Sequence, residues 1–198
     1  MRSSRMNERL ECRSKLKYIS RKNIMRSFGF TLIDLLTTLT ILSILLAFGL
    51  PSFTAQIQNT RVKTAAISLS EAIDLTRTKA VFSNSRATML KRTTWEDGWE
   101  IFIDKDNDGV RDQDEDVLQQ HEKLSGIKII SDSKLKNYVS YIGTGEGRSA
   151  SGSATAGAMQ IGSLKVCPTS KGKGYQLILS RGGRVRMDEI KAEDCDES

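Results

Sequence analysis

Residues 104–115 read DKDNDGVRDQDE. Asp104, Asp106, Asp108, Asp112 and Glu115 fall at the first, third, fifth, ninth and twelfth places of an EF-hand calcium loop. Gly109 is sixth, where the chain turns sharply, and Val110 is seventh, where the backbone carbonyl is the ligand. Oxygen ligands at alternate positions converge when the chain curls, so binding a hard divalent cation is the chemistry this spacing offers. Over 104–116 seven acids stand against Lys105 and Arg111, and without a cation they repel one another. Ile101–Ile103, just before the loop, has strand character, which is wrong for a helix-flanked hand. The alternatives are a calcium-clipped hairpin loop and a solvated acidic turn. Calcium is the one cofactor these residues suggest.

A second group is basic. Residues 180–187 read SRGGRVRM. Gly182-Gly183 suits a two-residue hairpin turn, which would set Arg181 opposite Arg184. Arg186 would project from the same face as Arg184. Like charges placed opposite each other are unfavourable unless an anion sits between them. Lys165, Lys171, Lys173 and Lys191 add to the basic character of this end. Phosphate contact by such arginines needs no base readout and is salt-sensitive. The plainer alternative is an exposed basic hairpin.

Of the three cysteines, Cys12 lies in a basic N-terminal segment, whereas Cys167 and Cys195 form an even pair near the other end. A body exported to an oxidising space would join them in a disulfide that staples the last strands to the tail. Their spacing fits no zinc pattern, and His121 is the single histidine. No Gly-rich phosphate loop precedes a helix and no acid–His–nucleophile set is visible, so the sequence reads as a non-enzyme.

The elements that must carry these groups begin with Phe30–Leu50, FTLIDLLTTLTILSILLAFGL, which holds one charge, Asp34. At about 1.5 Å per residue it reaches roughly 30 Å, the hydrocarbon thickness of a bilayer. Residues 1–29 hold nine Lys/Arg and two acids, while residues 30–198 hold 21 and 22. The whole-chain charge of +6 and pI near 9.3 therefore belong to the first 29 residues, so whole-chain charge says nothing about the partner of the nearly neutral body. That charge order keeps the leader cytoplasmic and sends the body across. A secretory signal has the same order, but no A-x-A site ends this apolar run, and it continues through Pro51 into another helical pattern.

Over 52–84, Ile57, Thr60/Arg61, Thr64, Ile67, Ile73, Leu75 and Val81 give a broken helical stripe, so one helix of roughly fifty residues is expected, loosened at Pro51. After Asn84 eight short strands follow, at 88–94, 99–103, 117–124, 127–130, 138–142, 159–166, 175–180 and 184–187, separated by turn signals. Gly143–Gly157, GTGEGRSASGSATAG, reads as a flexible loop. The fold class is α+β, a long N-terminal transmembrane helix packed on an antiparallel sheet or sandwich head. The divisions are a basic leader 1–29, a transmembrane half-helix 30–50, a periplasmic half-helix 51–84 and a β-rich head 85–198.

The junction Ser27-Phe28-Gly29 followed by Phe30-Thr31-Leu32-Ile33-Asp34-Leu35-Leu36 resembles the processing site of type IV prepilins, with Asp34 where that family usually has Glu. Gly98-Trp99-Glu100-Ile101-Phe102-Ile103-Asp104 before an acidic turn, Val117-Leu118 leading to Leu124 and Gly126-Ile127, and Gly183-Arg184-Val185-Arg186 after a strand resemble the GspH/FimT branch of minor pseudopilins. The resemblance covers residues 26 to about 190. It implies a type IV pilin-like fold, cleavage after Gly29 by a prepilin peptidase and methylation of Phe30. It also implies a structural role at or near the tip of a type II secretion pseudopilus or type IV pilus, with other pseudopilins or pilins as partners. The chain would be a single-pass inner-membrane protein with a periplasmic head. A carboxylate inside an apolar helix needs a partner, and the new amine of Phe30 on a neighbouring subunit would supply one for Asp34, fixing the stagger of the assembly. In some pilin-type members a G-R-x-R end binds DNA during uptake. A DNA-binding minor pilin of natural transformation, acting through Arg181, Arg184 and Arg186, is therefore the second reading.

Overall fold

The computed structural model describes residues 30–170 and 172–195. The expected leader with Gly29, and Lys171, lie outside them. One α-helix, α1, spans Leu32–Ser83, close to the length expected. The chain divides inside α1 into two compact units, Met1–Leu45 and Leu46–Ser198.

In the first unit α1 starts on a reciprocal cap. The Thr31 backbone N–H donates to Asp34 Oδ2 at 3.1 Å, and the Asp34 N–H donates to Thr31 Oγ1 at 3.2 Å. The Thr31 hydroxyl adds a 2.6 Å bond to Asp34 Oδ2. Two donors that a helix start leaves orphaned are thus satisfied, as in a capping box. Beyond it Leu32, Ile33, Leu36, Ile41, Ile44 and Leu45 are all exposed. Among the described residues no helix is long and apolar enough to cross a membrane.

In the second unit α1 buries Val62, Ala65, Ala66, Leu69, Ala72, Ile73, Thr76 and Ala80, a run of three- and four-residue steps along one face. This corrects the stripe drawn from the large apolar residues: Ile57, Ile67 and Val81 are 50%, 37% and 49% exposed. Alanines occupy the buried face because small side chains let the helix sit close to the sheets. The helix ends at Ser83, where Asn84 turns left-handed at φ 47° and the Ser85 N–H closes back on the Ala80 carbonyl at 3.2 Å.

Eight strands follow, at Ala87–Lys91 (β1), Trp99–Ile103 (β2), Val117–His121 (β3), Ile127–Ser131 (β4), Tyr138–Tyr141 (β5), Gly162–Pro168 (β6), Gly174–Leu179 (β7) and Val185–Ile190 (β8). They form two four-stranded sheets of order β3-β2-β1-β5 and β4-β6-β7-β8, antiparallel throughout. The core joins the α1 face to Met89, Trp99, Ile101, Val139 and Tyr141 of the first sheet and Ile129, Leu164, Val166 and Leu177 of the second. The helix-then-antiparallel-sheets expectation holds. Each strand forms within a few residues of its expected place, and β2 at its expected bounds. Cys167 in β6 and Cys195 in the tail are joined by a disulfide with Cα atoms 5.9 Å apart.

Candidate functional site

The acidic loop is the β2–β3 connection. Asp104 leaves β2 with its side chain buried, 1% exposed. Its Oδ2 accepts from Thr88 Oγ1 at 2.8 Å and from the Gly109 N–H at 3.0 Å. Its Oδ1 is buried with no hydrogen-bond partner among the described residues. Asn107 and Gly109 take φ of 68° and 80°, the left-handed region where Asn and Gly are favoured. The curl brings one carboxylate oxygen each of Asp104, Asp106 and Asp108 within 4.8 Å of one another. Burial pushes the Asp104 carboxyl above its ordinary range and the charge of Glu115 pushes the same way; bonds from Thr88 and Gly109 and the charge of Arg86 oppose.

The remaining expected ligands are placed differently. Glu115 is buried, and its Oε1 accepts the Lys105 N–H at 2.6 Å while its Oε2 accepts the Asp112 N–H at 3.1 Å. It braces the loop backbone, because those two N–H groups have no strand partner to satisfy them. Asp112 is exposed, and the Val110 N–H donates to Asp108 Oδ1 at 2.7 Å. Of the five expected carboxylate ligands the structure gathers three, Asp104, Asp106 and Asp108.

Spacing did not reveal Arg86, which enters β1 from the helix end and is fully buried. Its Nε donates to Asn107 Oδ1 at 3.3 Å, its Nη1 to Ser140 Oγ at 2.8 Å and the Arg148 carbonyl at 2.9 Å, and its Nη2 to the Ser153 and Ala156 carbonyls, both at 2.9 Å. Asn107 adds its own carbonyl, which accepts the Ser151 and Gly152 N–H groups at 3.0 and 2.8 Å. The Gly/Ser segment 143–157, expected as a flexible loop, is therefore tied to the acidic loop through one guanidinium and one asparagine. A lone arginine between a helix and a strand carries no sequence signal for this role.

The arginine hairpin also differs from expectation. The Ser180 N–H donates to the Arg184 carbonyl at 2.9 Å and the Gly183 N–H to the Ser180 carbonyl at 2.9 Å. The loop is thus the three residues Arg181-Gly182-Gly183, with Gly183 left-handed at φ 75°. Ser180, not Arg181, faces Arg184. Arg181 and Arg184 are exposed. Arg186 pairs with Asp188 at 2.8 Å and Lys173 with Glu189 at 2.5 Å, so acids interleave with this basic end. Tyr141 of the first sheet donates to the Gly183 carbonyl at 3.0 Å, which ties the hairpin to that sheet. His121 stacks on Trp99 with ring centroids 4.2 Å apart.

A family model described as type II transport protein GspH matches residues 65–183, from the buried face of α1 to the arginine hairpin. The chain belongs to the GspH family. It is similar to the type IV minor pilin FimU of Pseudomonas aeruginosa strain PAO1, at 17% identity and a TM-score of 0.49, over 66% of this chain and 90% of that one. It is also similar to EpsH, the minor pseudopilin from the type 2 secretion system of Vibrio cholerae, at 12% identity and a TM-score of 0.46, over 65% of this chain and 96% of that one. No curated protein sequence matches the chain. In this GspH-family chain the acidic loop and the basic hairpin both lie within the β-rich head.

Proposed function

We propose that this chain is a minor subunit of a type II secretion pseudopilus or type IV pilus. It is anchored in the inner membrane by α1, freed from its leader by cleavage after Gly29, and placed at or near the fibre tip. Besides family membership, the observation that carries the reading is the contrast along α1. From Val62 onward one face of the helix, with Leu69 and Ile73 in it, is buried, whereas every large apolar side chain from Phe30 to Leu46 is exposed, Phe30, Leu32 and Ile33 by 79%, 79% and 68%. So apolar a helical surface in water is unfavourable and calls for lipid or other apolar helices. In that setting Asp34 uses Oδ2 for the cap and has Oδ1 to offer the Phe30 amine of a neighbouring subunit. The head then projects into the periplasm, where the Cys167–Cys195 disulfide is stable.

Alkaline extraction of membranes should leave the chain in the pellet. Release into the supernatant would contradict the anchor. Asp34→Asn keeps an oxygen for the cap but removes the charge, so loss of the chain from sheared fibres in Asp34→Asn, with recovery in Asp34→Glu, supports the charge pair. Equal incorporation of all three forms would remove it.

A second reading, phosphate contact by the hairpin, is favoured by the exposure of Arg181 and Arg184 and opposed by the Arg186–Asp188 pair. A gel shift with DNA that Arg181→Ala plus Arg184→Ala abolishes supports it. Equal shifts for the two proteins would sink it.

A further inference from the structure

We propose that the β2–β3 loop is a calcium site built on Asp104, Asp106 and Asp108. Two independent observations meet there. Three carboxylates, one from each of these residues, converge within 4.8 Å. Asp104, 1% exposed, also carries an oxygen that no group among the described residues satisfies. A buried acceptor without a donor is rare and unfavourable, and in a carboxylate the cost is larger.

Among the described residues no cation donates a hydrogen bond to that oxygen. The Arg86 guanidinium has five N–H donors, and each has another acceptor in Asn107, Ser140, Arg148, Ser153 or Ala156. Lys105 turns away to Asp114, 3.6 Å from its carboxylate. A divalent cation coordinated by Asp104 Oδ1 would satisfy that oxygen and offset the mutual repulsion of the three aspartates at once. Calcium suits the set better than magnesium, because it accepts irregular all-oxygen coordination completed by water and loop carbonyls, whereas magnesium demands a near-ideal octahedron and dehydrates reluctantly. The ligand set is smaller than the loop spacing alone suggests, since both oxygens of Glu115 already hold backbone N–H groups. Asn107 lies between two ligands and bonds Ser151, Gly152 and Arg86. An occupied site would therefore also hold segment 148–157, and calcium would set the shape of this end of the head.

The test is calorimetric titration of the full chain in detergent, stripped with a chelator, using calcium chloride and, separately, magnesium chloride. The expected result is one calcium per chain with a Kd of about 1 mM or tighter, the range of extracellular modules, and magnesium at least tenfold weaker. Asp106 and Asp108 are exposed, so Asp106→Asn plus Asp108→Asn should fold and bind calcium at least tenfold more weakly, while Asp112→Asn should stay within about twofold. No heat and no rise in melting temperature at about 10 mM calcium, ten times the weak end expected, would overturn the proposal. So would unchanged affinity in the double variant, an equal loss in Asp112→Asn, or magnesium binding as tightly as calcium.

Discussion

The Nε of Arg86 donates to Oδ1 of Asn107 at 3.3 Å, and this bond links a buried cation at the start of β1 to the middle of the acidic loop. The remaining donors of Arg86 end on Ser140 and on three carbonyls of the 148–156 segment. Two long connections thus share one anchor, beside the direct bonds from the Ser151 and Gly152 N–H groups to the Asn107 carbonyl. Burial pulls the Arg86 guanidinium below its ordinary value, against the charge of Asp104, yet an arginine stays charged under these conditions. The anchor is a fixed positive charge.

Arg86→Met should accordingly destabilise the head by about 3–5 kcal/mol, because it leaves buried acceptors without donors. In a protein of this size that lowers the melting temperature by roughly 10 °C. Limited proteolysis should show new cleavage within 148–157. An unchanged melting temperature would contradict the anchoring role.

Gly183 and Gly182 should respond differently to alanine. At Gly183, φ is 75° and an added Cβ would stand 2.4 Å from the Gly145 carbonyl oxygen and 2.9 Å from the Tyr141 ring. At Gly182 a Cβ would meet nothing within 4 Å. Gly183→Ala should cost about 1–3 kcal/mol, and Gly182→Ala less than about 0.5 kcal/mol. Chemical denaturation curves of the two variants check this, and equal midpoints would refute the three-residue loop.

Tyr141 makes the head sensitive to alkali. Burial pushes its phenol well above the ordinary value of 10.0, helped by the charge of Asp74 and opposed by Arg77. Because the folded state holds this proton more tightly than the unfolded chain, its contribution is complete below about pH 10 and is lost as pH rises further. Tyr141→Phe should cost about 1 kcal/mol at neutral pH for the lost bond to the Gly183 carbonyl and should flatten the alkaline decline. Unfolding curves from pH 8 to 12 read both effects, and an unchanged alkaline slope would count against Tyr141 as its source.

The sequence showed elements bounded by strong local signals. Strand β2 sits between Gly98 and Asp104 and is where the alternation places it, and α1 runs through the junction between its two halves. What it concealed depends on partners distant along the chain. The buried face of α1 was misphased because Ala65, Ala66, Ala72 and Ala80 are nearly silent in a hydrophobic pattern, whereas exposed Ile57 and Ile67 are loud. The hairpin loop is one residue longer than expected, because Gly182-Gly183 fits a two-residue turn equally well. The loop spacing identified Asp104, Asp106 and Asp108 as a group. It could not reveal that Glu115 serves two backbone N–H groups or that Arg86 reaches both loops. The Thr31–Asp34 cap is absent from the sequence expectations, which give Asp34 a partner on a neighbouring subunit alone.

We propose above that this head is carried on a processed pilin-type helix. The most direct measurement is the N-terminus and intact mass of the chain recovered from membranes of cells that also express a prepilin peptidase. Processing gives a chain that starts at Phe30 and carries one added methyl group on its amine. A chain that keeps its leader, or one that starts after residue 50, would contradict it.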